Sequence, residues 1–590
     1  MRRKIVALLV PLVGLLSVDA ALAAKKAANA PLLKLFETSW QEDLADDPIS
    51  ATGFGDPRFN DQLTDMSAEA IAKRSQRAFA RMAALRKIKR EKLPKPDQLN
   101  YDLFERQIKA SLSEAGYKPY CYAVRTFDGP QLLAELTEVL PFKTVKDYDD
   151  WIARLNGTGL YIDQWIATLG QCALEGRTQP RVTIQKVLEQ IKPQLVTDPE
   201  ASAFFAPFKK IPAGIDAANK DRLIAAGRAA VQTVAVPAFQ RFDAFFRDVY
   251  LPKSRDTVGA SSTPDGIEYY RNRMRHFTTI DNPDATRIHN IGLDEVKRIR
   301  AEMEKTLEGI NFLGTLDQFL SFLRNDPRFF YKTPEELMAA YEKTARAIEP
   351  QLPKLFGRLP KTGFGIRAIP AASAPTTTTA YDQPPSLDGT RQGNYYVNLY
   401  KPESRPIWEI EALTAHEAMP GHHLQIALSY ELTGLPEFRR NASYTAFVEG
   451  WALYSENLGY ELGLYKDEFS KFGQLNYDMW RAVRLVVDTG MHQFKWTREQ
   501  AIYFFQQNTG KSLQDIENEV DRYISWPGQA LAYKLGQLRI QALRAEAEKA
   551  LGARFDVRAF HDQLLGMGAL PLSVLDVEMR AWIAAQSARR

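Results

Sequence analysis

The chain is poor in cysteine and histidine, and its net charge is small. Its 590 residues include two cysteines and seven histidines, and 76 basic side chains stand against 72 acidic ones. Two cysteines are too few for a disulfide-built scaffold, although Cys121 and Cys172 could pair in an oxidising compartment, a point that the sequence leaves open. So small an imbalance gives no electrostatic footprint for nucleic acid, and we expect no such partner.

Long apolar runs are missing beyond the N-terminus. Basic residues at positions 2–4, an apolar stretch over 5–18 and small residues at 21–23 follow the order of a secretory signal peptide. We therefore predict that residues 1–23 are a signal peptide and that the mature protein is periplasmic or secreted. No later stretch is apolar for long enough to span a membrane, so we expect no membrane span.

Helical periodicity dominates the rest of the chain. Apolar residues recur at helical spacing in both halves, and the breaks fall at proline-containing turns such as residues 93–96. The loop-like stretch 252–266 is the best candidate boundary. We predict a mainly α protein, a large multi-helix fold with a helical N-terminal lobe over residues 24–250 and a helical catalytic lobe over residues 251–590.

One region, residues 364–400, departs from the helical pattern. Residues 371–379 and 384–389 are rich in proline, threonine and glycine and predict loops. Residues 394–400 are rich in aromatic and branched side chains and predict a strand. We therefore expect a small β-sheet in this region.

Histidine is concentrated in one short segment, residues 414–425. The segment contains His416, Glu417, His422 and His423. Two histidines four residues apart on a straight helix can bind one zinc ion, but here the fourth position after His416 is Pro420. A proline there breaks the helix, and His422 can share a metal with His416 only if the chain is distorted at Pro420 and Gly421. Without that distortion the segment is a polar helix end with solvated histidines.

Two later helices supply further candidates. Glu449 is flanked by apolar residues, where a carboxylate is costly to bury unless it is paired or bound to a cation, so it is a plausible third ligand. The alternative is a carboxylate on the helix surface, and for Glu456 we prefer that interpretation. Arg481, Arg484 and His492 occupy a largely apolar helix, where a bound substrate carboxylate could be the partner of a positive charge. Arg484 could instead pair with Asp488 on the surface.

Several segments resemble a known family. His-Glu-x-x-Pro-Gly-His-His at residues 416–423 and Glu-Gly-Trp-Ala at 449–452 are similar to the signature of domain-of-unknown-function family 885, a group of bacterial exported proteins. Further similar segments lie at residues 48–55, 289–296, 388–393, 488–492 and 527–536. The family is grouped with the gluzincin-type zinc metallopeptidases and distantly resembles the carboxypeptidase Taq, thimet oligopeptidase and angiotensin-converting enzyme families.

The resemblance implies a zinc site with a fourth position for water. His416, His422 and Glu449 would be the ligands, and His423 could replace His422 as a ligand or contact the substrate. Glu417 would be the general base.

The resemblance also implies roles around the substrate. Tyr533 lies in a segment similar to one in the carboxypeptidase Taq family and would stabilise the oxyanion together with His492. The alternative interpretation is a buried tyrosine that is hydrogen-bonded to the backbone. Arg481 and Arg484 would bind a substrate carboxylate. The strand that contains Tyr396 would lie beside the metal and contact an extended peptide.

We therefore expect an exported zinc-dependent metallopeptidase that acts on short peptides. One alternative is a zinc-dependent amide hydrolase of small non-peptide or modified amino acid substrates. Another is a zinc-free binding protein on the same scaffold. The sequence leaves open the oligomeric state and the choice among amino-, carboxy- and oligopeptidase.

Overall fold

Helices form most of the secondary structure, as predicted. The computed structural model describes the backbone of residues 15–371 and 373–588, and the side chains of residues 29–588 except 372 and 376. The signal peptide predicted at residues 1–23 lies outside the fully described residues. The helices are α1 Leu15–Asp46, α2 Pro48–Phe54, α3 Ala68–Arg86, α4 Lys95–Ala115, α5 Val145–Leu174, α6 Arg181–Ile191, α7 Ala217–Ala230, α8 Val236–Phe245, α9 Gly266–Thr278, α10 Ala285–Ile310, α11 Leu316–Asn325, α12 Pro334–Ile348, α13 Ile410–Glu417, α14 His422–Tyr430, α15 Glu437–Arg440, α16 Thr445–Leu462, α17 Glu468–His492, α18 Arg498–Asn508, α19 Leu513–Ser525, α20 Ala532–Leu551, α21 Val557–Gly566 and α22 Leu572–Ala588.

Local sequence fixes where several of these helices begin. At the start of α12 the Thr333 hydroxyl accepts a hydrogen bond from the Glu336 amide, and the Glu336 carboxylate accepts one from the Thr333 amide. Pro334 occupies the first helical position, where its missing N–H has no intrahelical partner to lose. The same reciprocal arrangement joins Thr497 and Gln500 at the start of α18.

A three-stranded sheet occupies the region that departs from the helical pattern. Its strands are β1 Phe364–Ala368, β2 Ala380–Gln383 and β3 Gly393–Val397, in the order β1-β3-β2. β1 runs parallel to β3, and β2 runs antiparallel to it. Because β3 is the central strand, β2 lies at an edge of the sheet. The predicted strand is thus confirmed as β3, whereas β1 and β2 were not predicted. Asp382 is paired with Tyr395, and the two side chains share the sheet face that meets α13.

The buried apolar residues form two large clusters. The larger cluster, the main core, combines the C-terminal helices with α1, α3 and α4. The smaller cluster, the second core, consists of residues between 124 and 250. The rings of Phe36, Phe104 and Phe438 illustrate the main core, with centroids 4.6–5.2 Å apart. Residues of the predicted N-terminal lobe, 24–250, contribute to both cores, since helical periodicity shows that a face is buried but not which helix covers it.

Helix α17 runs through the middle of the main core. Every residue from Phe472 to His492 is buried, including four charged residues. Such a helix needs a partner for each charge, and the neighbouring helices supply most of them. Among the described residues, no helix combines the length and the apolar character that crossing a bilayer requires.

Cys121 and Cys172 form a disulfide, which settles the pairing that the sequence left open. Their Cα atoms are 5.5 Å apart and 51 residues separate them in sequence. The bridge joins the segment before α5 to the last turn of that helix. It therefore fixes α5, a major element of the second core, to the chain that precedes it.

Candidate metal centre

The histidine segment is interrupted where the sequence predicts a distortion. Helix α13 ends at Glu417, α14 begins at His422, and the Met419–Pro420 peptide between them is cis. A Cβ atom at Gly421 would lie 1.8 Å from the carbonyl oxygen of His416, so only glycine allows this approach. The two helices consequently meet in a tight angle rather than continuing along one axis.

Helix α16 holds this break in place. The indole N–H of Trp451 donates a hydrogen bond to the carbonyl oxygen of Pro420 at 2.9 Å. Trp451 lies two residues after Glu449, so the contact that fixes the break also positions that carboxylate. The rings of His416 and His422 then stand face to edge, with centroids 4.9 Å apart.

Three possible ligand atoms converge on one point. Glu449 Oε2 lies 3.7 Å from His416 Nε2 and 3.2 Å from His422 Nε2, and all three atoms lie within 4.8 Å of one another. Ligands held 2.0–2.1 Å from a tetrahedral metal stand about 3.3 Å apart. The spacing is therefore close to what one small cation requires.

The electrostatics of these atoms fit a cation. Glu449 Oε2 is buried and has no hydrogen-bond partner among the described residues. Burial alone would lower the pKa of His422, but the Glu449 carboxylate outweighs it and raises that pKa to about 9. Burial likewise opposes ionisation of Glu449, but His422 and His416 hold its pKa well below the usual range. Two imidazoles and one carboxylate are a ligand set of catalytic zinc sites.

Glu456 orients the first histidine, a role that the sequence did not reveal. The residue is fully buried, so its assignment to the helix surface was wrong. His416 Nδ1 donates a hydrogen bond to Glu456 Oε1 at 2.8 Å, which turns Nε2 towards Glu449. Metal-binding histidines commonly donate their second nitrogen to such a carboxylate. The available signal was spacing, since residues seven apart share a helix face.

A cavity of about 290 Å³ adjoins the three ligand atoms. Glu417 lines it, is 8% exposed, and accepts no hydrogen bond from the residues described. Its carboxylate is therefore free to accept a proton from a water or a ligand in the cavity. His416, His422 and Glu449 line the same space.

Tyr533 lines the same cavity, and its ring stacks on the His416 ring with their centroids 6.3 Å apart. Helices α16 and α20 touch where Gly450 meets Gly536, since a Cβ on either would overlap the other helix, and this contact sets Tyr533 near Glu449. The Tyr533 oxygen accepts a hydrogen bond from Gln529, which leaves the phenolic proton free to donate. Burial, reinforced by Glu449, raises the pKa of Tyr533, so the hydroxyl keeps its proton at neutral pH.

His492 does not reach the cavity. Its Nδ1 accepts a hydrogen bond from the Ala260 amide at 2.9 Å, and its Nε2 donates to the Tyr523 carbonyl at 3.0 Å. Burial lowers the pKa of His492 to about 3. Because both ring nitrogens are occupied by backbone groups, the catalytic role expected of His492 is replaced by a structural one.

The structure also directs two predicted substrate contacts away from the cavity. His423 is fully buried, and its Nε2 donates to the carbonyl oxygen of Thr362 at 2.9 Å. Tyr396 stacks on Tyr381, and its hydroxyl donates to Glu138 at 3.4 Å. Neither lines the cavity, because His423 points to the opposite side of α14 and Tyr396 to the opposite face of the sheet.

Arg481 and Arg484, by contrast, do line the cavity. Arg484 Nη2 donates to Glu519 at 2.8 Å, and Arg522 donates to the same carboxylate at 3.0 Å. The surface pair of Arg484 with Asp488 is not formed, because that carboxylate is buried and accepts from the Tyr270 hydroxyl at 2.6 Å.

Asp382 is a second residue that sequence reasoning missed. It lies on the edge strand β2 and lines the cavity. Both carboxylate oxygens are buried, and neither accepts a hydrogen bond within the described part of the chain. Burial raises the pKa of Asp382 well above its usual value. The nearby Glu417 adds to this rise, and His422 opposes it.

Fold and site together define a helical protein with a candidate three-ligand metal centre in a small cavity. The chain matches, over residues 48–579, the model of a family described as bacterial protein of unknown function (DUF885). It belongs to that family.

Two solved structures are similar to this chain. A candidate lipoprotein from Colwellia psychrerythraea is 30% identical and superimposes with a TM-score of 0.88, covering 95% of this chain and 99% of its own. A candidate lipoprotein of unknown function from Shewanella oneidensis is 17% identical, with a TM-score of 0.67 and coverage of 93% and 99%, and shares the fold. No curated protein matches the sequence.

Proposed function

We propose that this protein is an exported zinc-dependent metallopeptidase that hydrolyses short peptides. The observation that carries the proposal is the convergence of His416 Nε2, His422 Nε2 and Glu449 Oε2 beside the Glu417 carboxylate that lines the same cavity. The resemblance to gluzincin-type peptidases supports the same assignment. Zinc held by these three residues would supply a water of lowered pKa and polarise the scissile carbonyl.

The surrounding residues divide the remaining work. Glu417 accepts the proton of the attacking water and passes it to the leaving amine. The Tyr533 hydroxyl donates to the carbonyl oxygen as negative charge grows there. Glu456 keeps His416 in the orientation that presents Nε2 to the metal.

Export is supported by three independent features. The pattern of residues 1–23 is that of a signal peptide. The Cys121–Cys172 disulfide suits an oxidising compartment. Both similar structures are described as candidate lipoproteins. A periplasmic location accommodates all three.

A second candidate function is hydrolysis of a small non-peptide amide at the same centre. The cavity favours it, because about 290 Å³ is at the lower end of the roughly 300–1,000 Å³ typical of small-molecule sites. A zinc-free binding protein is the less favoured alternative, because three ligand atoms of the kinds that zinc takes converge within 4.8 Å of one another.

Metal analysis and a peptide digest test the proposal together. We expect about one zinc per purified chain, none in His416→Ala, and an unchanged amount in Glu417→Gln. Zinc-loaded protein should trim a peptide library monitored by mass spectrometry, and Glu417→Gln should lower the rate by about 10²–10⁴-fold.

Two outcomes would contradict the proposal. Equal zinc in His416→Ala and the parent would remove the metal centre. An untouched peptide library, with small amides hydrolysed by the same zinc-loaded sample, would replace the peptidase with the second candidate.

A further inference from the structure

The cavity beside the metal centre has walls of opposite charge. Asp382, Glu417, Arg481, Arg484 and Arg522 all line it. Asp382 lies near Glu417 and His422, whereas Arg484 and Arg522 gather around Glu519. The two sides come from different elements, since Asp382 is on β2 whereas the arginines are on α17 and α19. A ligand that fills the cavity therefore meets carboxyl groups at one end and guanidinium groups at the other.

The acidic side has an unsatisfied carboxylate. Asp382 oxygens are buried without a hydrogen-bond partner in the described structure, and no basic nitrogen described there lies within 4.0 Å of them. Its pairing with Tyr395 across the sheet turns it towards α13 and the metal centre rather than towards solvent. Buried carboxylates are normally paired, so a cationic group of a ligand would complete this environment.

The basic side has more positive charge than its neighbours balance. Arg484 and Arg522 share the single carboxylate of Glu519. Arg481 lies 3.4 Å from Glu456, which already accepts a hydrogen bond from His416. Arg484 Nη1 is buried and has no hydrogen-bond partner among described atoms. An anionic ligand group would use both the surplus charge and this free N–H.

The metal centre lies between the two sides. The Arg484 guanidinium stacks 4.2 Å from the centre of the Tyr533 ring, and Tyr533 in turn stacks on His416. On the other side, His422 is the metal ligand that interacts electrostatically with Asp382. A ligand that spans the cavity would therefore pass the metal between its two ends.

Building on the proposed peptidase function, we propose that the substrates are dipeptide-sized zwitterions. Asp382 binds the free α-amino group, and Arg484, supported by Arg522, binds the free α-carboxylate. The cavity volume of about 290 Å³ is on the scale of such small ligands. The protein would thus complete peptide breakdown by hydrolysing the last peptide bond, rather than cutting within chains or releasing residues from long ones.

Capped dipeptides test the inference on the zinc-loaded full chain. Alanylalanine, its N-acetyl form and its C-terminal amide would be compared by kcat/KM from released alanine. A charge-assisted hydrogen bond contributes about 1.5–3 kcal/mol, so each cap should lower kcat/KM by about 10- to 100-fold. Asp382→Asn should reduce the discrimination against the N-acetyl form to within about threefold and leave the discrimination against the amide intact.

Zinc content and a matched variant separate substrate binding from effects on the metal or fold. Asp382→Asn should keep the parental zinc content. Asp163→Asn, which removes a half-exposed carboxylate on α5, should match the parent throughout. The capped peptides also test the wild-type chain directly, so the inference does not depend on the variant folding.

Binding measurements distinguish failure of the inference from failure of the proposed function. Zinc-loaded Glu417→Gln would be titrated calorimetrically with the same three peptides. Preference for the free dipeptide without hydrolysis by the wild type would retain the binding inference and reject the peptidase. Equal binding or cleavage of free and capped forms would overturn the inference. So would an Asp382→Asn protein that loses zinc and keeps its discrimination, because Asp382 would then serve the metal centre.

Discussion

The two cores of the molecule bury different kinds of side chains. The second core, residues 124–250, buries large aromatic side chains such as Trp151 and Phe239. Its buried Arg154 donates to backbone carbonyls and to the Thr52 hydroxyl rather than to a carboxylate. The main core around α17 also buries ion pairs. These include Glu409–Lys511, Arg405–Asp515, Asp478–Lys534 and Glu519–Arg484.

Buried ion pairs are weak evidence for stability, because desolvation of both charges offsets their attraction. One of these pairs, Glu519–Arg484, holds a charged group that lines the cavity in a fixed position. We infer that the second core mainly stabilises the fold through apolar contacts, whereas the main core also buries charged groups, which adds less stability but fixes side chains at the site. The following predictions test this division.

The largest effect should come from the two adjacent histidines. His422→Ala should abolish zinc binding, because it removes one of three ligands, whereas His423→Ala should retain about one zinc per chain. His423 is buried against β1 and β3, so its loss should appear as a lower melting temperature instead. Metal analysis and thermal denaturation of both variants would check this, and loss of zinc from His423→Ala alone would reverse the ligand assignment.

A substitution in the second core should show the opposite pattern. Trp151 is fully buried and its indole N–H donates to the Phe204 carbonyl. Trp151→Ala should lower the free energy of unfolding by about 3–5 kcal/mol while the folded fraction keeps its zinc. Denaturant titration with parallel metal analysis would test it. A variant of unchanged stability that loses zinc would show that the two cores are not separable in this way.

A smaller effect is expected at the carboxylate behind His416. Glu456→Gln keeps the shape of the side chain but weakens its hold on the histidine N–H. We expect zinc affinity to fall by about 10- to 100-fold, as for other carboxylates that support a metal-binding histidine. Competition with a chelator would measure the change, and Glu461→Gln, on the exposed end of the same helix, is the matched control.

The last prediction is a pH dependence that distinguishes the two cores. Burial lowers the pKa of His492 to about 3 and of His561 to about 4, both in the main core, whereas residues 124–250 contain no histidine. The unfolded chain takes up these protons first, near pH 6.5. The stabilisation is therefore complete above pH 6.5 and declines as the pH falls towards 4. Hydrogen-exchange protection should decrease in the main core before it does in the second core.

Sequence patterns anticipated the helical fold because periodicity and capping are local. The capping box at Thr333 and the strand at β3 are examples. The short strands β1 and β2 escaped prediction, since five or four residues carry little periodicity, and no local pattern shows that α1 joins the main core.

The candidate site was predicted only in part, for a related reason. His416 and His422 were recognisable because histidine is rare in this chain and because the proline and glycine between them predicted a break in the helix. Asp382 escaped notice, and Glu456 was assigned to the helix surface, because carboxylates are common and usually exposed. His492 drew attention as a polar residue in an apolar helix, but its partners are backbone atoms from distant segments, which no sequence pattern reveals.

The burial of α17 on all sides has a consequence for how the centre comes into being. The residues that line the cavity range from Phe127 to Tyr533 in sequence, and several of them belong to α17, which has no exposed face over most of its length. No excised fragment containing only the histidine segment can reproduce that enclosure. On the proposed metal site, zinc binding would therefore require the folded assembly around α17, and zinc retention would report that this assembly is intact.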